Sequence, residues 1–358
     1  MEKQREKWLD SLKGLGIILV VLSHCFPPQE ELTNYLYSFH IPLFFFISGY
    51  LVSNQSISQK FSVYFNKRCK RLIMPYFGYG LFTYLVWLVI GRNFGVNKEL
   101  AVAPLKPLLG LFYGNGFDNY LVFNIAIWFL PALFSALILY YWVRRTFQNR
   151  FIIFGVIILS LLVGYLDSKY LKFRLPWGIN ISLIAIFFLH LGYLSKALFI
   201  KYWQEKTLSS IELGLFFLVL GYFGQDMNSG VSFNSHSYGN IFYFILAASS
   251  SIFAYAILTK QILDNRVMQF LGKNSLKILA LHILSFSFIS AFIKFGLGGD
   301  FLTFKASTIG RFTYFVASIA LLSLYSIIIN QLSMKNRLFS RLSVIIKSSK
   351  NDKTSSEK

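Results

Sequence analysis

The sequence predicts an all-α polytopic membrane protein, a bundle of about ten transmembrane helices. Of its 358 residues, 55% are hydrophobic and only 14% are charged, which is too apolar for the surface of a soluble domain of this size. Aromatic residues make up 18% of the chain, and such residues suit lipid-facing helices and the boundary between bilayer and water. The apolar runs are continuous, whereas a membrane barrel shows short alternating segments.

The apolar runs approach the ~20 residues that a helix needs to cross a bilayer. They cover residues 12–26, 35–53, 72–91, 121–143, 150–166, 177–198, 209–224, 239–259, 276–295 and 308–332. The gap at 92–120 contains its own apolar patch, PLLGLFYG, which predicts a short re-entrant or interfacial helix. Residues 1–335 are therefore predicted to form one membrane-embedded domain, and the polar, basic residues 336–358 a disordered cytoplasmic tail.

The net charge of +20 is also typical of nucleic-acid-binding proteins, so the placement of the basic residues matters more than their number. Most of the 35 Lys and Arg residues lie in segments that the ten runs place on the same side as the N-terminus. By the positive-inside rule both termini are cytoplasmic, and segment 27–34, which has acids and no Lys or Arg, faces out. The expected partner is therefore membrane lipid and not nucleic acid. The basic tail and the lack of an organelle signal suit a bacterial cytoplasmic membrane.

The first apolar run, within SLKGLGIILVVLSHC, is bracketed by Lys13 and His24. Eleven steps of 100° turn the helix by about three full turns plus 20°, so the two side chains share a face and lie ~16 Å apart along the axis. Asp10 falls within ~40° of the same stripe. Polar groups in a membrane helix usually face a polar interior, which favours a functional role. The alternative is that Lys13 snorkels to the headgroups and His24 lies in the outer interface.

Two further motifs accompany this pair. His40 precedes Pro42 in SFHIPLFFFISGYL, and Arg68 and Arg71 lie in KRCKR, which we expect in the cytoplasmic loop at the mouth of the third helix. A basic residue separated by ten residues from a histidine, then FH-x-PLFFF-x-SGY and Arg-x-x-Arg, together resemble the acyltransferase 3 family of integral membrane acyltransferases, and within it the fucose 4-O-acetylase-like branch. Two later stretches, IWFLPALF and FLGKNSLKILALH, which ends in His282, are similar to that family more loosely.

The resemblance implies transfer of an acyl group, usually acetyl from acetyl-coenzyme A, to a hydroxyl of a cell-surface glycan or its lipid-linked precursor. Members often carry arginine where this chain has Lys13. Lysine keeps the positive charge but lacks the planar fork that binds phosphate through two hydrogen bonds.

The residue types fit this chemistry. Lys13, Arg68 and Arg71 supply cations for the phosphates of the acyl donor. His24 is a suitable general base because its ordinary pKa lies near 6.5. The sequence leaves open whether His24 moves only protons or also carries the acetyl group.

Other residues have supporting or undecided roles. Asp10 is a further catalytic candidate on the stripe of His24. His40 orients His24, binds the acceptor or stabilises the tetrahedral oxygen, or else bonds the backbone group that Pro42 frees. His282 is either a donor contact or a helix-packing residue, and His236, in an outer loop, is expected to be solvated.

No other chemistry is indicated. The chain has no Gly-x-x-x-x-Gly-Lys phosphate loop, no pair of histidines spaced for a metal and no Cys-x-x-Cys, so no metal is predicted. The rival function is a transporter or flippase for a glycan or lipid intermediate, whose polar membrane residues would line a path instead of performing chemistry.

Overall fold

The computed structural model of the chain describes residues 6–355 except 29, 172 and 203–206; the side chains of residues 96, 202 and 335–355 are not described. Residue 29, in the segment predicted to face out, thus lies outside the described residues, as do the first five and last three residues. The described part of the chain is 81% helical and contains no strand.

Sixteen α-helices make up the described chain. They are α1 Lys7–Ser23, α2 Glu31–Tyr50, α3 Asn54–Ile57, α4 Phe61–Arg68, α5 Met74–Val89, α6 Gly95–Leu100, α7 Leu105–Tyr113, α8 Phe129–Thr146, α9 Arg150–Tyr170, α10 Ile179–Tyr202, α11 Leu208–Asp226, α12 Ile241–Leu258, α13 Arg266–Lys273, α14 Ser275–Ala291, α15 Phe301–Ala306 and α16 Thr308–Ser355. Short π-helical segments, Cys69–Ile73, Thr259–Leu263 and Phe292–Gly296, follow α4, α12 and α14.

Eight helical segments of the described chain are long and apolar enough to cross a membrane. They are Phe61–Val89, Ile125–Thr146, Arg150–Tyr170, Pro176–Lys201, Leu208–Asp226, Ile241–Leu263, Ser275–Gly296 and Thr308–Met334. The protein is therefore a multi-pass membrane protein, as the composition predicts. The count of ten and the location of the termini stay predictions.

Contacts at the two ends of the bundle define two sides. On what we call the near side, where α1 begins, Ser11 donates a hydrogen bond to Asp264 (2.6 Å). On the far side, where α1 ends, Glu30 pairs with Arg311 (2.6 Å). The connections 227–240 and 297–300 also lie on the far side.

The first two predicted spans form α1 and α2 at the centre of the bundle. Most side chains of both helices are buried. Helix α13 packs closely against α1. A side chain on Gly14 would collide with the Met268 carbonyl oxygen, and a side chain on Gly272 would collide with the Asp10 carbonyl oxygen. The absence of a Cβ at these two positions lets the backbones approach each other. The helix that carries Lys13 and His24 is thus enclosed by protein.

Two connecting regions compare with the sequence as follows. The short helix predicted between residues 92 and 120 is present as α7, preceded by a second one, α6. The last helix, α16, is longer than the tenth apolar run and continues into the predicted tail. Because no side chain after residue 334 is described, the disorder of residues 336–358 stays a prediction.

Candidate active site

Three helices bring three histidines to one level of the bundle. His24 follows α1 directly, His40 lies in the middle of α2, and His282 lies in the middle of α14. The rings of His24 and His282 have centroids 5.0 Å apart. His24 and His40 line the same cavity. The end of α1 thus lies beside the middle of α2 and the middle of α14, and the three imidazoles lie inside the bundle.

The geometry of His40 sets its tautomer. Its Nδ1 lies 2.5 Å from the Leu36 carbonyl oxygen, which can only accept, so Nδ1 carries the hydrogen and donates. In the neutral ring Nε2 is then the acceptor. The carbonyl that Pro42 leaves without its helical donor is that of Ser38, four residues earlier. His40 therefore does not serve the group that proline frees, and that explanation of the residue is wrong.

His282 is fixed in the same way. Its Nδ1 donates to the Leu279 carbonyl oxygen (2.8 Å), one turn back on its own helix. Its Nε2 is buried and has no hydrogen-bond partner within the described part of the chain. The side chain is fully buried beside His24. The unpartnered nitrogen is an acceptor next to the proposed base.

A cavity of about 440 Å³ leads from the far side to His24 and His40. Its walls are neutral: among the described residues that line it, the ionisable side chains are the two histidines and the Tyr37 phenol. Asn34 also lines the cavity, six residues before His40 on α2, which separates the two residues by ~9 Å along the helix axis. Other polar and aromatic lining residues are Trp128, Ser232, Asn234, Ser235 and Ser237. Amide, hydroxyl and aromatic groups of this kind can bind an uncharged polyol.

The connection 230–237 covers this cavity, and a buried polar network holds it. His236 donates from Nε2 to an Asp167 carboxylate oxygen (2.7 Å), and its Nδ1 accepts from the Tyr238 hydroxyl (3.0 Å). Arg174 donates to the Asn234 carbonyl (3.2 Å). Burial lowers the pKa of His236, while the hydrogen bond to Asp167 acts in the opposite direction. His236 is 4% exposed, so the expectation that it is solvated is wrong.

A second far-side cavity, of about 380 Å³, also reaches His24. Besides His24 it is lined by Cys25, Phe26, Pro27, Leu302, Lys305, Ala306 and Arg311. The reasoning from sequence missed its two cations. One signal was available: both are basic residues in a segment that the charge bias assigns to the outer side, where Lys and Arg are disfavoured.

Asp10 and Lys13 lie at the opposite end of α1 from His24. The Lys13 ammonium is 3.5 Å from an Asp10 carboxylate oxygen, and Asp10 is 2% exposed. Fourteen residues of helix place Asp10 ~21 Å from His24 along the axis, too far for a hydrogen bond. The shared face predicted from the helical period thus joins Asp10 to Lys13 and not to the imidazole. A direct catalytic role of Asp10 beside His24 does not fit this distance.

Arg68 and Arg71 lie in a helix and not in a loop, which corrects the sequence-based expectation. The segment Phe61–Val89 is continuously helical through a π-helical stretch at Cys69–Ile73, because one turn accommodates an extra residue without breaking the backbone hydrogen bonds. The Arg68 guanidinium stacks 4.8 Å from the Tyr64 ring centroid, and its buried Nε has no hydrogen-bond partner among the described residues. Arg71 is exposed. Neither arginine lines the cavity of His24 and His40.

In the part of the chain that the structure describes, no group of three or more His, Cys, Asp or Glu side chains is arranged to hold a metal ion. The cluster of imidazoles comprises three rings, but two of them use Nδ1 to donate to backbone carbonyls. What the cluster offers is acceptor nitrogens close together, which suits the removal of a proton from a hydroxyl group.

Comparison with known proteins adds one match. The model of the acyltransferase 3 family, which is described as an acyltransferase domain, matches residues 6–333. No curated protein and no solved structure matches the chain. The matched region contains every site residue described above.

Proposed function

Because the chain belongs to the acyltransferase 3 family of membrane acyltransferases, we propose that it is an O-acyltransferase that moves an acetyl group from acetyl-coenzyme A to a hydroxyl of a cell-surface glycan or of its lipid-linked precursor. We also propose that the chain belongs to the fucose 4-O-acetylase-like branch of this family. The near side is cytoplasmic, in a bacterial cytoplasmic membrane, and the far side faces out.

One observation carries the proposal: His24 and His40 lie at the inner end of a far-side cavity with neutral polar walls. A sugar presents hydroxyl groups and apolar ring faces, which match the amides, hydroxyls and the Trp128 and Tyr37 rings. Apart from the two histidines, a charged acceptor portion would find no ion-pairing side chain among the described residues that line this cavity. The acceptor portion that reaches the base from this side is therefore an uncharged sugar.

His24 acts as the general base. The acceptor hydroxyl oxygen attacks the thioester carbonyl carbon while its proton passes to the His24 imidazole. The tetrahedral intermediate then collapses, the carbon–sulfur bond breaks, and the coenzyme A thiolate takes up the proton. His40 contributes its acceptor Nε2 at the same cavity and binds the acceptor hydroxyl beside the one that reacts.

His282 supports His24. A protonated His24 needs an acceptor, and the unpartnered Nε2 of His282 lies in the ring packed against it. Accepting a hydrogen bond from His24 orients the base and stabilises the imidazolium that forms during transfer. We assign His282 to this positioning role in preference to binding of the donor.

The donor reaches the base from the near side. Lys13, Arg68 and Arg71 lie on that side and bind the phosphates of the nucleotide end, with Asp10 holding the Lys13 ammonium. The extended arm of coenzyme A is long enough to cover the ~16 Å of α1 that separates Lys13 from His24. Donor and acceptor thus meet at the imidazoles from opposite sides of the membrane.

The experiment is thiol release by the purified protein. Acetyl-coenzyme A is supplied with a panel of neutral sugars and sugar lipids, and free coenzyme A and acetylated acceptor are both measured. The matched control is His190→Asn, because His190 is a buried histidine bonded to Tyr140 outside the cavity. Transfer that survives in folded His24→Ala protein, or that needs an acceptor other than a hydroxyl compound, contradicts the proposal.

A further inference from the structure

The second cavity that His24 lines is cationic, in contrast to the neutral one. Lys305, on α15, and Arg311, in the first turns of α16, both line it. The described residues that line it include no aspartate or glutamate. Because His24 belongs to the walls of both cavities, a molecule that fills them together has its middle at the proposed base.

The ammonium group of Lys305 is not neutralised by any carboxylate in the part of the chain that the structure describes. Its ammonium lies 5.9 Å from the Phe286 ring centroid and 5.7 Å from that of Tyr314, contacts that hold the side chain over aromatic faces. No carboxylate of the described residues forms an ion pair with it. Asp300, which is close in sequence, instead accepts hydrogen bonds from Leu302 and Thr303 as the cap of α15.

Arg311 is only partly satisfied. One of its terminal nitrogens, Nη1, contacts the Glu30 carboxylate at 2.6 Å, and the guanidinium stacks 5.6 Å from the Phe26 ring centroid. A guanidinium has five N–H donors, so the pair with Glu30 leaves others for a ligand. Taken together, Lys305, Arg311 and Glu30 give this end of the cavity a positive balance.

Apolar side chains surround the opening of the cationic cavity. Leu302 on its rim is 57% exposed. Further exposed residues of the same part of the chain are Phe292 and Phe295 in the π-helical segment after α14, Leu297 in the connection that follows, and Ile309 and Phe312 at the start of α16. On a multi-pass membrane protein, exposed aromatic and aliphatic residues beside a cation mark the border between headgroups and acyl chains. A soluble anion would gain nothing from them.

We propose that the cavity of Lys305 and Arg311 binds the phosphate group of a lipid. This inference rests on the proposed function in one respect: the lipid is the carrier of the acceptor, with its phosphate on Lys305 and Arg311, its sugar in the neutral cavity and the reacting hydroxyl at His24. The lipid chain runs along the exposed apolar side chains at the rim. Entry is thus from the far-side leaflet.

Binding is tested without any acyl donor, which separates this inference from the proposed transfer reaction. The probe is dioleoyl phosphatidic acid, titrated into purified wild-type protein in detergent and followed by native mass spectrometry, with dioleoyl phosphatidylcholine as the zwitterionic comparison. We expect preference for phosphatidic acid and a loss of about tenfold in affinity in Lys305→Gln, because one charge-assisted hydrogen bond disappears. Lys305→Arg should retain the affinity.

The matched control is Lys294→Gln, since Lys294 is an exposed lysine of the same side, over the Phe295 ring and outside the cavity. It should leave the affinity unchanged. Equal binding of the two lipids, unchanged affinity in folded Lys305→Gln, or an equal loss in Lys294→Gln overturns the site. Displacement of the lipid by millimolar inorganic phosphate identifies a free phosphate as the ligand and overturns the lipid assignment. An inactive protein that still shows the lipid preference leaves the site intact and refutes only the transfer reaction.

Discussion

The imidazole rings of His24 and His282 lie 5.0 Å apart, although 258 positions separate them in the sequence. The contact arises because α13 packs antiparallel to α1 and α14 then turns back alongside it. His282 is fully buried, and its Nδ1 is committed to the Leu279 carbonyl. Only Nε2 remains for His24. In the proposed mechanism this nitrogen accepts a hydrogen bond from the protonated His24 ring.

Replacing His282 by Ala should lower the catalytic rate constant about five- to tenfold and leave the affinity for donor unchanged. The loss corresponds to one hydrogen bond of ~1–1.5 kcal/mol to the base. The pH dependence of transfer should also shift, because His24 loses the group that stabilises its protonated form. Rate constants over a pH series, compared with those of His190→Asn, check this. A reduced rate with an unchanged pH profile indicates a purely structural residue.

Replacing His24 by Ala or Asn should reduce transfer by ~10²–10⁴-fold, the usual contribution of general acid–base catalysis. Donor binding should persist because the cations for the nucleotide lie ~16 Å away along α1. Transfer is followed by acetylated acceptor and binding by titration with acetyl-coenzyme A. His190→Asn controls for loss of a buried histidine. Undiminished activity in a folded His24→Ala protein would falsify the assignment.

Much of this arrangement could be predicted from sequence. The helical period places Lys13 and His24 on one face, and the short motifs single out His40 and His282. The sequence could not show that His282 contacts His24, because that contact depends on how α13 packs on α1 through Gly14 and Gly272. Such long-range packing leaves no local periodic signal.

Other parts were predicted incorrectly or missed for different reasons. The sequence predicts a loop at Arg68 and Arg71 because a cluster of basic residues interrupts the apolar pattern. In the structure the backbone stays helical there through a π-helical turn. The sequence predicts a solvated His236 because polar residues surround it in the chain. In the structure the side chain is buried and forms hydrogen bonds with Asp167 and Tyr238. Lys305 has no motif of its own. Its position beside His24 emerges only when α15 folds over the end of α1.

Loss of a near-side cation should weaken donor binding and not the chemical step. In Lys13→Ala and Arg68→Ala we expect the affinity for acetyl-coenzyme A to fall by ~10-fold or more, because a hydrogen bond to a charged group is worth about 1.5–3 kcal/mol. Lys13→Arg should retain it. Lys70→Ala is the control, since Lys70 is exposed beside Arg68. Unchanged affinity in both alanine variants removes this donor site.

The far-side connection should lose stability in acid. Burial lowers the pKa of His236, so the folded state favours the neutral ring. As the pH falls below ~6.5, the ordinary pKa of histidine, the unfolded or opened connection takes up more protons and the closed form becomes less stable. Above that pH the ring is neutral in both forms, and His236 does not make the stability of the connection depend on pH. Amide hydrogen exchange of residues 230–237 at pH 5.5 and 7.5 measures this.

The variant for this comparison is His236→Gln, which removes the titrating group but keeps a polar side chain that can donate to Asp167. Its exchange rates, corrected for the intrinsic pH dependence of amide exchange, should be the same at the two pH values. The wild-type connection should show the greater protection at pH 7.5. A wild-type protein whose corrected rates do not change between the two pH values contradicts the titration of His236.

The orientation of the bundle can be determined by labelling single cysteines in intact cells. The background carries Cys25→Ser and Cys69→Ser, which removes both native thiols. Ser235→Cys, exposed in the far-side connection, should react with a membrane-impermeant maleimide. Arg71→Cys, exposed in the π-helical segment before α5, should react only after the cells are opened. The positive-inside bias gives this direction. The reverse pattern would place the donor cations outside the cell, away from cytoplasmic acetyl-coenzyme A, and the scheme in which donor and acceptor meet from opposite sides would be wrong.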